Sequence, residues 1–401
     1  MTAEWRDRNQ VELLINGEAY FPRVFKAIRE ARAEVLLETF IIFEDTVGMA
    51  LQQALIAAAE RGVRIEVTAD GYGTADLTSA YIRALTQVGV RVHLFDPRPK
   101  MFGMRTNLFR RLHRKIVVVD GELAFLGGIN FSRDHLEEFG PMAKQDYAVE
   151  VRGPVVADIH QAAVELLRHC GVEHPGVGLR PRSQEVGSSE MLLAIRDNED
   201  HQDDIEDQYM EAIRNARQRL LIANAYFFPG YRLLRELRSA AQRGVQVTLI
   251  LQGEPDMRWA WALGRLLYDY LLRDGVTIRE YCEKPLHAKV ALVDGDWCTV
   301  GSSNLDPLSL SLNLEANLFI RDEAFNQHLY LHLTDLAQSR CQPVTRQVLR
   351  QGYWWRAPLM FLSYHAARHF PAVLGWFPAH RPKLTTAAPE ATDTLLGSGK
   401  T

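Results

Sequence analysis

Apolar and polar positions along this chain follow one rhythm twice. Phe25-Lys26-Ala27-Ile28-Arg29-Glu30-Ala31-Arg32 spaces its apolar residues for one helix face, and Val35-Leu36-Leu37-Glu38-Thr39-Phe40 follows as a short, largely apolar run that predicts a buried strand. The same order returns from Tyr209 to Arg217 and then in Leu220-Leu221-Ile222-Ala223-Asn224-Ala225-Tyr226. A second pair follows: Ala57-Ala58-Ala59-Glu60-Arg61-Gly62-Val63-Arg64-Ile65 and Ser239-Ala240-Ala241-Gln242-Arg243-Gly244-Val245-Gln246-Val247 each read as a helix stopped by glycine and then a strand. Helix, strand, helix, strand in each half predicts α/β layering, with helices over both faces of a parallel or mixed sheet. The repeat distance is far longer than a solenoid's and marks two homologous halves.

The repeat extends to a block that carries chemistry. His113-Arg114-Lys115-Ile116-Val117-Val118-Val119-Asp120 and His287-Ala288-Lys289-Val290-Ala291-Leu292-Val293-Asp294 share their spacing and apolar filler. Read as strands, they put His113 and Lys115 on one face, and likewise His287 and Lys289, because side chains alternate. An imidazole beside an ammonium suits a phosphate. Asp120-Gly121 and Asp294-Gly295 predict hairpins. The returning strands end in Gly127-Gly128-Ile129-Asn130 and Gly301-Ser302-Ser303-Asn304, where small residues let a phosphodiester approach the backbone amides. Each asparagine stands 17 positions after its histidine. One such block alone reads as a core strand with a satisfied histidine and a snorkelling lysine. Two with equal spacing point to function. A metal centre is the weaker reading, since a lysine two residues from each histidine repels a cation and no acid and histidine cluster is visible in the sequence. Metal-independent chemistry without a cofactor is expected.

Composition adds bounds. With 401 residues, 47% of them hydrophobic, the chain can bury a full core. A net charge of -4 gives no global attraction to anionic partners, so any grip on them must be local. Cys170, Cys282, Cys298 and Cys341 lack metal or disulfide-framework spacing and read as reduced thiols. The charged start Met1 to Arg8 precedes no apolar run, so no signal peptide or anchor is expected and residence on the cytoplasmic side follows. Residues 98 to 115 hold Arg98, Lys100, Arg105, Arg110, Arg111, Arg114 and Lys115 without an acid, interleaved with Met101, Phe102, Met104 and Phe109. Such a loop suits anionic headgroups, although a solvated basic face or nucleic-acid groove has similar composition. Residues 353 to 384 are aromatic and basic, too interrupted by charge and proline to span a bilayer, and suited to its interface. Packing as a C-terminal helix pair is the plainer alternative.

In its two motifs the chain resembles the phospholipase D superfamily, whose signature is HxKxxxxD followed by GGxN or GSxN. Through Gly301-Ser302-Ser303-Asn304-Leu305-Asp306-Pro307-Leu308-Ser309-Leu310-Ser311-Leu312-Asn313-Leu314-Glu315-Ala316-Asn317 it is similar to bacterial cardiolipin synthases. Asp96-Pro97-Arg98-Pro99, Phe102 to Asn107, Asn224 to Tyr231 and Gln252 to Met257 resemble their shorter form, which lacks amino-terminal transmembrane helices.

This resemblance implies an α/β fold of two similar halves, each a mixed β-sheet flanked by helices, packed about a pseudo-twofold with one shared active site. Residues 1–170 and 190–350 would form the halves, 171–189 a linker, 351–384 the membrane-interface segment and 385–401 a disordered tail. The implied reaction is phosphatidyl transfer from one phosphatidylglycerol to another through a covalent phosphohistidine, with phosphatidylethanolamine as a second candidate donor. His113, Lys115, Asp120, His287, Lys289 and Asp294 are the motif residues, with His113 as nucleophile and His287 as acid and base. Asn130 and Asn304 would bind the phosphate. A catalytic histidine needs an acceptor on its other nitrogen, and Asp146 is assigned to His113 and Glu315 to His287, the acid that follows each motif. Asp120 and Asp294, at hairpin turns, read as structural or supporting groups. Anionic phospholipids (phosphatidylglycerol, cardiolipin) and the cytoplasmic face of the inner membrane are the expected partners, with no nucleic acid. A hydrolase or nuclease on the same residues is the chief alternative. A catalytically dead adaptor is disfavoured by two complete motifs.

Overall fold

The computed structural model describes residues 3–97, 110–174, 186–253, 265, 267–345 and 383–387. The first half runs β1 (Arg6–Ile15), α1 (Asn16–Glu30), β2 (Glu34–Thr39), α2 (Thr46–Glu60), β3 (Arg64–Asp70), α3 (Ser79–Gln87), β4 (Arg91–Phe95), β5 (Ile116–Val119), β6 (Leu123–Gly127), β7 (Tyr147–Arg152) and α4 (Val155–His169). The second repeats it with β8 (Ser189–Arg196), α5 (Asp204–Asn215), β9 (Arg219–Asn224), α6 (Tyr231–Gln242), β10 (Gln246–Gln252), β11 (Thr277–Tyr281), β12 (Lys289–Val293), β13 (Trp297–Gly301), β14 (Glu315–Arg321) and a helix we label α7 (Glu323–Ser339). Two short strands close the sheet, β15 (Cys341–Pro343) and β16 (Leu384–Thr386).

All these strands join one mixed sheet. Outward from the central antiparallel pair β1 and β8, the order is β7, β6, β5, β2, β3, β4, β16 on one side and β14, β13, β12, β9, β10, β11, β15 on the other. One topology is thus written twice about a pseudo-twofold. The strands β2, β3 and β4 are parallel, as are β9, β10 and β11, and helical crossovers supply the reversals that parallel pairing needs. The predicted glycine stops are real: Gly62 and Gly244 follow α2 and α6 at φ 86° and 93°, where a side chain would be strained. Helices α1, α2 and α3 cover one core cluster and α5 and α6 another, while α4 and α7 share a third with strands of both halves. Two buried carboxylates, Glu34 and Glu66, bind neighbouring basic side chains inside the first half: Glu34 pairs with Arg64, His160 and His174, and Glu66 with Arg91 and His93.

Several expectations change. The strands start at Ile116 and Lys289, so His113, Lys115 and His287 lie just before them. Of the basic run at 98 to 115, residues 98–109 lie outside the described residues. Arg111 and Arg114 do not face solvent: Arg111 is buried against Asp70 (Nε to Oδ2 3.0 Å), and Arg114 is buried 3.9 Å from Glu38. Segment 351–382 also lies outside the described residues, and no described helix is long and apolar enough to cross a membrane. The tail placed at 385–401 begins too early, because Thr385 and Thr386 pair with Leu94 and His93 and close the β4 edge.

The motif aspartates take a structural place at the far end of their strands from the histidines. Asp120 (φ 54°) receives the backbone N–H groups of Arg32, Ala33 and Glu34, which join α1 to β2. Asp294 (φ 51°) receives those of Arg217, Gln218 and Arg219, between α5 and β9. Each carboxylate staples a hairpin to the neighbouring connection. Asp120→Ala or Asp294→Ala is expected to cost about 1–2 kcal/mol in denaturant unfolding, by loss of a multiply bonded cap. The asparagine variants, which tolerate positive φ and keep one acceptor, should lose less.

Candidate active site

The site is built where the two halves cross. Leu112 forms an isolated parallel bridge with Leu314, and Gln145 forms one with Leu286. The His113 N–H donates to the Leu314 carbonyl (2.9 Å) and the Leu314 N–H to the Arg111 carbonyl (2.9 Å). By the pseudo-twofold, the His287 N–H donates to the Gln145 carbonyl (2.8 Å) and the Gln145 N–H to the Pro285 carbonyl (2.9 Å). Each histidine therefore lands beside the acid of the other half. His113 Nδ1 is 3.0 Å from Glu315 Oε2, and His287 Nδ1 is 2.6 Å from Asp146 Oδ2. The same-half assignment of Asp146 to His113 and Glu315 to His287 is corrected: the pairs are crossed.

Both lysines fold back over their own histidines. Lys115 Nζ donates to the His113 carbonyl (2.7 Å) and Lys289 Nζ to the His287 carbonyl. They are 2% and 1% exposed, so their charges converge with little water to screen them. Asn130 commits its side-chain oxygen to the Ile41 N–H (3.2 Å), which leaves its NH2 to donate. The Asn304 amide oxygen is buried without a partner, a group whose bonding a ligand can complete. Asp120 and Asp294 are outside the site, held on the backbone of α1–β2 and α5–β9.

A family model described as cardiolipin synthase, PLD-like domain, matches residues 24–165 and 209–336. The chain belongs to this family. It is 51% identical to the cardiolipin synthase B of Shigella flexneri and to that of Escherichia coli K12, over 98% of this chain and 96% of each relative. It is 37% identical to the cardiolipin synthase A of Pseudomonas putida over 83% of this chain and 69% of that one. Among solved structures, phosphatidylserine synthase of Haemophilus influenzae Rd KW20 shares the fold with a TM-score of 0.63 at 15% identity, covering 84% of this chain and 87% of that one.

Burial and charge lower the two imidazoles to different extents. Desolvation holds His113 below its ordinary value, opposed by Glu315 and reinforced by Lys115. His287 is held further down by desolvation, then by Lys289 and Lys144. Desolvation brings Lys115 down to about 7, against the pull of Glu315. Burial pushes the Asp146 carboxyl up; it is the largest influence on Glu315 as well, but His113, Lys115 and Ser302 together outweigh it and keep that carboxyl low. The supports of the two acids also differ. Ser302 Oγ donates to Glu315. Its counterpart is Gly128, where a Cβ would come within 2.3 Å of Asp146 Oδ1. Only glycine leaves Asp146 room to reach His287.

One site residue had no signal in the repeat. His135 is buried beside Asp146 and His287, its Nδ1 3.6 Å from Asp146 Oδ2 and its ring centroid 5.7 Å from that of His287. One ligating atom from each of these three lies within 4.8 Å of the others, a grouping the sequence did not reveal. Its chemistry is that of a hydrogen-bonded acid and imidazole: Lys289 Nζ stands 3.1 Å from His287 Nδ1, where an added cation would meet its charge.

The field around Lys115 sets a pH test. Its ammonium, which attracts an anion, is lost as pH rises through about 7. Binding of sulfate, whose charge is constant, should weaken between pH 6 and 9 by about tenfold when followed by calorimetry, and Lys115→Met should flatten that slope.

Proposed function

We propose that this chain is a cardiolipin synthase, a phosphatidyltransferase that moves the phosphatidyl group of one phosphatidylglycerol to the glycerol hydroxyl of another and releases glycerol. The observation that carries this reading is the meeting of two crossed histidine–carboxylate pairs and two buried lysines in one site. The relatives' names and the whole-length similarity support the lipid substrate.

With each Nδ1 turned to a carboxylate, each Nε2 is the nitrogen left for chemistry. In the first step Nε2 of His113 attacks phosphorus, the bond to the glycerol oxygen breaks, and that oxygen takes the proton from Nε2 of His287. Glycerol leaves and a phosphatidyl-histidine remains. In the second step neutral His287 takes the proton from a hydroxyl of the second phosphatidylglycerol. That oxygen attacks phosphorus, the phosphorus–nitrogen bond breaks, and cardiolipin and free His113 result. Lys115, Lys289, Asn130 and Asn304 offset negative charge on the non-bridging oxygens, an effect strengthened by burial. The order of roles follows the family resemblance. The field of the free site favours a neutral imidazole at His287 more strongly than at His113, so the site of the adduct is the measurement that decides between them.

His113→Ala and His287→Ala should each abolish conversion of labelled phosphatidylglycerol vesicles to cardiolipin while unfolding stays cooperative. Half activity in each would mean two independent sites. Phosphatidic acid as the sole product would make the enzyme a hydrolase. In His287→Ala, a donor whose leaving group needs no proton should leave the adduct on residue 113 by mass spectrometry; an adduct only on residue 287 in His113→Ala reverses the roles.

Anionic lipid at a membrane surface is the environment we propose, with the enzyme peripheral on the cytoplasmic face of the inner membrane. The aromatic and basic composition of 353–384 supports it. Because β16 closes the β4 edge, the test must keep residues 383–387. Trp354, Trp355 and Trp376 changed together to serine should reduce sedimentation with anionic vesicles by about tenfold or more, with the folded core intact. Unchanged binding would place attachment elsewhere.

A further inference from the structure

The two half-sites are alike in histidine, lysine and asparagine, yet each acid has a different third partner. Glu315 has the Ser302 hydroxyl. Asp146 has no room for one at Gly128, and faces His135 instead. The position matching His135 in the second motif, 22 residues after the histidine, is Ser309, whose N–H binds Asp306. This third histidine therefore belongs to one half alone.

Its tautomer is fixed by the backbone. The Asn130 N–H donates to His135 Nε2 (3.2 Å), so that nitrogen is an acceptor and Nδ1 carries the proton. The protonated Nδ1 is buried, has no hydrogen-bond partner and points to Asp146 Oδ2 at 3.6 Å. A buried donor left unmatched beside a buried carboxylate is costly unless another state of the site completes it. Catalytic hydrogen bonds are commonly long in free enzymes and tighten with substrate.

We propose that His135 is a positioning residue: its Nδ1–H closes on Asp146 during turnover and tunes how strongly that carboxylate holds the proton-exchanging imidazole of His287. Through Asn130 it also ties the phosphate-binding loop to the same pair. The groups facing this cluster are Asp134 on the Nε2 side (3.6 Å), Lys144 paired with Asp134, and Lys289, Lys115 and the Tyr147 N–H around Asp146. Burial holds His135 down at about 4, so it stays neutral, a donor to Asp146 and an acceptor from Asn130, across the working range.

The inference rests on His287 exchanging protons, and its test separates the two ideas. His135→Asn places an amide N–H near the Nδ1 position but loses the acceptor for Asn130. His135→Gln keeps an acceptor near Nε2 but offers Asp146 no donor. Without the donor Asp146 becomes more basic and stabilises the His287 imidazolium. The His287 limb of the kcat/KM profile should then move to higher pH by about one unit in His135→Gln, with kcat about tenfold lower, and stay near the natural position in His135→Asn. Ser302→Ala should move only the other limb. The reverse pattern, glutamine active with an unmoved profile and asparagine impaired, would make His135 a structural acceptor and overturn the proposal. Nitrogen-15 NMR of the unsubstituted protein gives a reading that needs no variant: a proton on Nδ1 of His135 supports it, and a proton on Nε2 sinks it. Titration of His287 in the same spectra reads its coupling to His135 without turnover, so a failure of the catalytic reading would be seen separately.

Discussion

Four backbone hydrogen bonds across the pseudo-twofold hold the active site together. They tie Arg111 and His113 to Leu314, and Pro285 and His287 to Gln145, so the chain segment bearing each histidine is fixed to the segment bearing the other half's acid. A bond of this kind fixes both register and direction, which side-chain contacts alone do not. Neither half can orient its own histidine. The continuous sheet makes the crossing rigid, since β1 and β8 pair at its centre and the core cluster beneath draws residues from both halves.

The consequence is electrostatic. Bringing two histidines, two lysines and two carboxylates into one buried space costs desolvation for each charge, and the arrangement persists because almost every charge has a partner. Lys115 and Lys289 rest on carbonyls of their own motifs, while Glu315 and Asp146 receive imidazole N–H groups. Both ammonium charges also act on Asp146, and a phosphodiester would add a further anion beside them. Such a site holds its dipoles in place before the substrate arrives, so little reorganisation is needed as charge develops on the phosphoryl oxygens.

Near-symmetry also hides a difference that matters to the proposed two-step reaction. A nucleophile and an acid-base group need different proton affinities, and one motif repeated twice cannot supply them. The difference comes from what lies behind each acid: a hydroxyl at Ser302, a glycine at Gly128 with His135 beyond it, and Lys144 nearer to His287 than to His113 in its effect on charge. Small changes around the histidine and lysine pairs thereby distinguish two half-sites that the repeat leaves alike.

How much of this was legible in the chain follows from the range of each interaction. Helix and strand order, the glycine stops at Gly62 and Gly244, the hairpins at Asp120 and Asp294 and the motif itself depend on neighbours a few residues apart, and periodicity reveals them. The crossed pairing does not: His113 and Glu315 are 202 residues apart, and an acid following each motif looks like that motif's own partner until the halves are docked. His135 was hidden because the repeat offers no counterpart, and a lone histidine reads as core. Arg111 and Arg114 looked like a surface patch, since a run of basic residues says nothing of the buried carboxylates Asp70 and Glu38 that strands β3 and β2 bring beneath them. Sequence determined the parts and their chemistry by local spacing. Tertiary structure alone decided which acid serves which histidine, because that choice is made by backbone bonds between segments that only the folded sheet brings side by side.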